Sequence, residues 1–247
     1  MRAKQRVTMM KKLVLYGLVF LTAALVCLAL ISGIFRYQAE QKPPVSSIEG
    51  ERILLPPPRS DGAFSVERAL AERRSVRHYA PRSIRQSDIS QLLWACQGIS
   101  GPGGLRTSPS AGALYPLEVY LVAGEVEGLS PGIYHYLPAD NVLETIRSGD
   151  YRADLSLSAL NQSAVSEAPA VLVITAVFNR TTGKYGERGI RYVHMEAGHA
   201  AQNVYLQATS LGTGTVSIGA FHDGEIQKIL SVEDETPLYL MPVGYLL

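Results

Sequence analysis

The feature that most constrains this chain is an uncharged apolar run from Leu13 to Phe35, dominated by Leu, Val, Ala, Ile and Phe. Water solvates such a run poorly, and a small domain cannot cover it on every side. As a helix at about 1.5 Å per residue it reaches roughly 34 Å, enough to cross a bilayer with some tilt. Arg2, Lys4, Arg6, Lys11 and Lys12 precede the run, whereas Arg36 and Lys42 follow it among acidic residues. That asymmetry predicts a cytoplasmic basic N-terminus over 1–12, a single transmembrane helix over 13–35 and a domain on the far side of the membrane. The run is longer than the apolar segment of a cleaved signal peptide, and no A-x-A site follows it. Leu25 and Val26 before Cys27 are bulkier than the residues that usually precede a lipidated cysteine. Pro43, Pro44 and Pro56 to Pro58 mark 36–60 as a stiff tether, leaving 61–247 as the domain.

A domain of that size buries a full core without a metal or disulfide staple. The net charge of +1 gives no electrostatic case for a nucleic-acid partner. Cys27 lies in the apolar run and Cys96 in a predicted helix, so the two cysteines form no framework. Ser65 is placed to cap a helix through Arg74, with Val66, Ala69 and Leu70 on one face. Ser87 is placed to cap a second, in which Ile89, Leu92, Leu93 and Cys96 recur before Gly98 stops it. The Gly, Pro and Ser content from Gly98 to Gly112 predicts irregular chain. Strands are predicted over Leu117 to Ala123, Gly132 to Tyr136, Ala170 to Phe178, Thr215 to Ala220 and Leu238 to Val243. The near-continuous apolar run of the third suits a strand covered on both faces. A long helix is predicted from Ile190 to Leu211. This irregular mixture points to an α+β fold rather than a doubly wound sheet.

Three constellations could carry chemistry. Arg73, Arg74, Ser75, Val76 and Arg77 place three guanidiniums and a hydroxyl together, a set suited to a phosphate and an electron-rich ring. Read locally, the same residues are a basic helix end that offsets the macrodipole. Ser108 to Pro116 is a loop of small residues that lets backbone approach a flat ligand, or an ordinary lead into a strand. Lys184 and Tyr185, beside a helix start, could form an acid/base pair or a turn with solvated charges. Glu196 and His199 share an i,i+3 spacing used by di-iron bundles, but one copy makes no metal site. No metal ligands are assigned. The sequence has no G-x-S-x-G and no G-x-G-x-x-G.

Taken in order, these segments resemble the nitroreductase-fold flavoproteins, and most closely the SagB/ThcOx-type dehydrogenases. The resemblance runs from about Ser65 to Gly244. It is carried by R-R-S-V-R at 73–77, P-S-A-G-A-L-Y-P at 109–116 and K-Y-G-E-R-G-I-R-Y at 184–192. It continues through E-A-G-H-A-A-Q-N at 196–203, G-T-V-S-I-G-A-F at 214–221 and P-V-G-Y at 242–245. It implies a nitroreductase-like α+β fold, a central mostly antiparallel sheet flanked by helices, in a domain-interlocked homodimer that holds FMN between subunits. By the resemblance Arg73, Arg74 and Ser75 hold the flavin phosphate and ribityl chain, and Arg77 sits near the pyrimidine edge. Hydride arriving at a flavin leaves negative charge at that edge, which a fixed cation stabilises. Pro109, Ser110 and Ala111 approach the flavin from the partner chain, and Ser217, Ile218, Gly219 and Ala220 line the ring. Lys184 and Tyr185 match the pair that assists proton removal when azoline-oxidising members turn a thiazoline or oxazoline of a modified peptide into an azole. Other members reduce nitro groups or quinones, a small-molecule chemistry with NADH or NADPH as electron donor. A third possibility is a membrane-tethered flavin-binding module without turnover. The family often places cationic phosphate contacts beyond its last glycine motif, whereas this sequence ends at Leu247.

Overall fold

The computed structural model describes residues 50–247. The expected membrane helix over 13–35 and most of the expected tether lie outside the described residues. Among the described residues no helix is long and apolar enough to cross a membrane.

A seven-stranded sheet organises the domain, antiparallel at every pairing, in the order β1-β6-β5-β4-β7-β9-β8. Its strands are β1 (Arg52–Leu54), β4 (Leu117–Ala123), β5 (Gly132–Leu137), β6 (Val142–Ser148), β7 (Ala170–Ala176), β8 (Thr213–Thr215) and β9 (Thr236–Tyr245). Side chains alternate across the strands and so divide the core in two. Val119 and Leu121 of β4 pack with Leu172 and Ile174 of β7 on one face. Tyr120 and Val122 pack with Val171 and Val173 on the other. Covering on both faces is why β7 reads as a continuous apolar run, even though the sheet is antiparallel.

Helices α1 (Val66–Glu72), α2 (Gln86–Gln97) and α6 (Arg188–Ser210) lie toward the first face, and α6 inserts Val193, Ala197, Ala200 and Val204. Each fully buried valine stabilises by about 1.5–3 kcal/mol. Helices α3 (Arg152–Ser158), α4 (Ser163–Glu167) and α7 (Asp223–Leu230) cover the second face through Leu155, Val165 and Ile226. A short α5 (Asn179–Tyr185) leads from β7 towards α6.

Four expectations need correction. The end of the expected tether belongs to the domain: β1 pairs with β6, Leu55 is buried, and the Ser90 hydroxyl donates to the Pro56 carbonyl at 2.6 Å. Proline is at home beside an edge strand, where its missing N–H is not needed. The second helix is not capped by Ser87; it starts after Arg85, whose guanidinium bonds Asp88 in the first turn at 3.0 Å. The stretch from Gly98 to Gly112 is partly regular, since β2 (Ile99–Gly101) and β3 (Leu105–Arg106) form a ribbon. The strand expected to reach Ala220 ends at Thr215, because the Ser217 N–H donates to the Tyr205 hydroxyl at 2.8 Å instead. Only Ile218 returns to the sheet, exchanging backbone bonds with Leu240 at 2.8 and 2.9 Å.

Candidate functional site

The first basic segment is laid over the end of β8 and β9. α1 starts where the Ser65 hydroxyl accepts the Arg68 N–H at 3.2 Å, and it stops where Arg73 leaves the helical region. Arg74 turns back and donates to the carbonyls of Ala71 (3.0 Å) and Arg73 (2.7 Å), so its charge is taken up by the helix end. The Val76 N–H then donates to the Thr215 carbonyl at 2.9 Å. Gly214 permits this approach, since a Cβ there would lie 2.5 Å from the Val76 side chain.

A node forms around Tyr205 of α6. Its hydroxyl lies 3.1 Å from the Ser75 hydroxyl, 2.8 Å from the donating Ser217 N–H and 3.4 Å from the Ser217 hydroxyl. The Arg73 guanidinium lies 5.1 Å from the ring centre, within cation–π range. Burial would raise the Tyr205 phenol, but the hydrogen bonds of Ser217 and Ser75 and the Arg73 charge bring it below its ordinary value. Tyr205 was not singled out from sequence, and nothing in its local pattern distinguishes it from a packing residue.

Ser217, Ile218, Gly219 and Ala220 divide by role. Ile218 is 5% exposed and both its backbone groups are bonded to Leu240, so it anchors the segment rather than facing a ligand. Gly219 and Ala220 are exposed, and a Cβ at Gly219 would meet only the Tyr239 ring edge, at 3.9 Å. Beside them is a cavity of about 290 Å³ lined by His194, Ala197, Gly219, Phe221 and Tyr239. Arg77 is exposed.

A second group gathers at the other end of α6. Lys184 and Tyr185 occupy the last turn of α5, not the start of the following helix, and Gly186 separates the two helices. Lys184 is exposed and Tyr185 half-buried, its ring packed edge-on against Tyr192 at 5.2 Å. The loop from Pro109 to Pro116 meets them at Gly112, whose φ of +65° suits glycine. A Cβ at Gly112 would lie 2.7 Å from the Tyr185 hydroxyl and 3.0 Å from Lys184 Nζ. Two of the three predicted constellations are therefore brought together. Pro109 is exposed, Ala111 half-buried, and the Ser110 hydroxyl accepts the Tyr115 N–H at 2.9 Å.

Arg180 ties this group to the sheet. It donates to the Tyr115 carbonyl at 3.1 Å and pairs with Glu118 at 2.6 Å, while the other Glu118 oxygen meets His135 at 2.8 Å. Burial would raise the Glu118 carboxyl, but His135 and Arg180 hold it below its ordinary value. Glu196 is buried, whereas His199 is exposed, so the i,i+3 pair points apart. Burial pushes the Glu196 carboxyl up to about 7, against the opposing pull of Ser110, Arg106 and Gln97. Among the described residues no cluster of His, Cys, Asp and Glu could hold a metal ion.

Tyr205 and Glu196 are thus the centres of two groups, roughly 13 Å apart along α6. Arg73 and Ser75 belong to the first group, and Lys184 and Tyr185 to the second. The sequence profile of the nitroreductase family matches residues 70–245, most of the described domain. The chain belongs to the nitroreductase family. A Methanocaldococcus jannaschii protein carrying the nitroreductase name is 49% identical over 181 residues, 73% of this chain and 91% of that protein. The microcin B17-processing protein McbC of Escherichia coli is 31% identical over 209 residues, 78% of this chain and 74% of McbC. A Ralstonia eutropha structure named as a nitroreductase is 28% identical, with a TM-score of 0.71 over 84% of this chain and 96% of its own. A chain of the E. coli microcin synthetase McbBCD, solved with truncated pro-microcin B17 bound, has a TM-score of 0.62 at 24% identity over 86% of each chain, a likeness of fold. The nitroreductase fold thus comprises a central antiparallel sheet with helices on both faces, as the sequence resemblance implied.

Proposed function

We propose that this nitroreductase is an FMN-dependent oxidoreductase of the SagB type, which oxidises azoline-like groups in a modified peptide. The observation that carries the reading is the meeting of Lys184 Nζ, the Tyr185 hydroxyl and the small-residue loop at Gly112. The similarity to McbC, a microcin-processing protein, supports a peptide substrate. The described residues fit FMN: a half-buried cation at Arg73, hydroxyls at Ser75 and Ser217, and exposed backbone with open space at Gly219 and Ala220. Arg73 and Ser75 would hold the phosphate and ribityl chain, and Arg77 the pyrimidine edge. Bound FMN supplies a two-electron acceptor. Lys184 and Tyr185 hold and move the proton lost from the substrate carbon, Tyr185 oriented by Tyr192 and both carried on the helix that Arg180 ties to β4.

A homodimer completes the site in this reading. The separation of the two groups along α6 supports it, as do exposed apolar side chains at Val66 and Leu70 of α1 and Ile190 and Met195 of α6. The second copy would bring Pro109, Ser110 and Ala111 to the flavin held at Arg73. The run over 13–35 anchors the dimer as a single-pass span with the domain outside the cytoplasm, which protease protection of the domain in intact and opened cells would test.

A second reading is an NADH- or NADPH-dependent nitro or quinone reductase acting on small molecules; the 49% identity to the M. jannaschii protein of that name favours it. The visible spectrum of the purified full chain loaded with FMN separates the two. Stable flavin bands that persist with NADH and NADPH but bleach with an azoline-bearing peptide support the dehydrogenase. Bleaching by a nicotinamide alone supports the reductase, and a folded dimer that retains no FMN sinks both.

A further inference from the structure

Along the face of α6 that meets α2 and the 105–115 segment, polar side chains recur, and most find partners. The Asn203 amide donates to the Thr107 carbonyl (3.2 Å) and the Ser108 hydroxyl (3.0 Å), and Gln207 accepts from Gln91 at 3.1 Å. Glu196, on the same face, is different. Only 3% of it is exposed, yet its Oε1 has no hydrogen-bond partner, and neither has Nε2 of the nearby Gln97. Arg106, the Ser110 hydroxyl and Gln97 already act on the carboxyl, each favouring its charged form, but each is also engaged elsewhere. Arg106 donates to Gln97 Oε1 at 3.1 Å and lies 4.7 Å over the Tyr115 ring, while Ser110 accepts the Tyr115 N–H. Arg106 and Ser110 both belong to the segment that brings Gly112 against the Tyr185 hydroxyl and Lys184 Nζ.

We propose that Glu196 is a positioning residue, whose charge sets how the Ser110–Gly112 turn seats against Lys184 and Tyr185. When neutral, the carboxyl leaves Arg106 with Gln97 and Tyr115, as the structure has it. When ionised, a carboxylate in this interior must be met by donors, because a buried anion without them is costly. The donors are Arg106, the Ser110 hydroxyl and the Gln97 amide, and a charge that draws the first two in more tightly pulls on the segment that carries the turn. With the carboxyl titrating at about 7, both states are populated near neutral pH.

The surrounding charges are few. Arg106 from β3 is the cation that acts on Glu196, and Glu118, Tyr115 and Arg180 in turn act on Arg106. α2 presents the uncharged Gln97 and the Cys96 thiol, which burial holds up at about 12 and therefore neutral. On α6 itself Tyr192 and His199 lie one turn away, and from α5 Lys184 and Tyr185 reach the far side of Gly112.

The catalytic consequence rests on Lys184 and Tyr185 being the reacting pair; the movement of the turn does not. Amide hydrogen exchange of the full chain loaded with FMN, corrected for intrinsic rates, tests it at about pH 6 and about pH 8. In wild type, protection over 108–116 changes by roughly tenfold between the two conditions while β7 stays constant. Glu196→Gln holds the lower-pH pattern at both, and Glu196→Asp, a second variant should the first fold poorly, keeps a pH response with a shifted midpoint. An unresponsive wild type, or the full wild-type response in folded Glu196→Gln, overturns the proposal. Full turnover in Lys184→Ala with the exchange response intact would reject the reacting pair and leave the positioning role standing.

Discussion

Two stretches of α6, around Glu196 and around Tyr205, present opposite solutions for polar groups near a site. At Tyr205 the donors and acceptors are matched: Ser75, Ser217 and the tyrosine hydroxyl satisfy one another, and Arg73 stacks at the rim. At Glu196 the carboxyl is deeper and under-partnered, and its one nearby cation is shared with Gln97 and Tyr115. The first arrangement is stable in any ordinary protonation state and leaves Arg73 to meet a ligand's charge. The second loses stability as its acid ionises. A fold can therefore place a rigid anchor and a proton-responsive contact on one helix, distinguished by how completely each is hydrogen-bonded.

The sharpest way to break this comparison is at the acid/base pair that the second region positions. Lys184→Ala should lower turnover of the FMN-loaded chain by about 10²–10⁴-fold with flavin content unchanged. Equal turnover in steady-state assays of the two proteins would remove Lys184 from the chemistry.

Next comes the pH dependence of stability. Glu196 has a folded-state value of about 7, above its ordinary 4.5, so the folded chain keeps a proton that the unfolded chain has released. Its contribution is full below the ordinary value and is lost as pH rises towards and through about 7. Across that window the wild type should lose roughly 3 kcal/mol from this group, an order-of-magnitude figure, and Glu196→Gln should lose none of it. Urea denaturation at both ends of the window checks this; parallel curves for the two proteins would show that Glu196 is solvated or paired.

At the first region the effects are smaller and concern binding. Arg73→Ala should weaken FMN by about 1.5–3 kcal/mol, roughly ten- to hundredfold in Kd, with little change in the apo chain's melting temperature. Unaltered flavin affinity in a fluorescence titration would move the phosphate elsewhere. Smallest is Tyr205→Phe, which leaves the Ser217 N–H and the Ser75 hydroxyl without their shared partner and should cost about 1 kcal/mol of stability. A variant as stable as wild type would mean that water replaces the hydroxyl, and the contrast between the two regions would shrink.

Legibility from sequence followed the range of the interactions. β4 was placed to the residue and α6 nearly so, because their periodicity is local and strong. The segment after Thr215 was misread as strand because its backbone is redirected by a tyrosine hydroxyl on another helix. Arg73, Ser75 and the 109–116 loop were visible as unusual clusters. Tyr205 was not, since its partner Ser75 is 130 residues away. Glu196 stood out by its spacing to His199, which the helix face separates, and by its place in the 196–203 segment, neither of which shows its burial.

By itself the sequence determined the α+β class, the apolar run over 13–35, the cationic and small-residue segments and the lysine–tyrosine pair, all written in residue type and short spacing. The tertiary structure decided which of these meet. It turned Arg74 onto its own helix end, brought Gly112 to Lys184 and Tyr185, set Ser75 against Ser217 through Tyr205, and left Glu196 buried with an unpaired oxygen. The reason is physical: hydrogen-bond satisfaction and desolvation depend on what surrounds a group in space, and no local pattern carries that information.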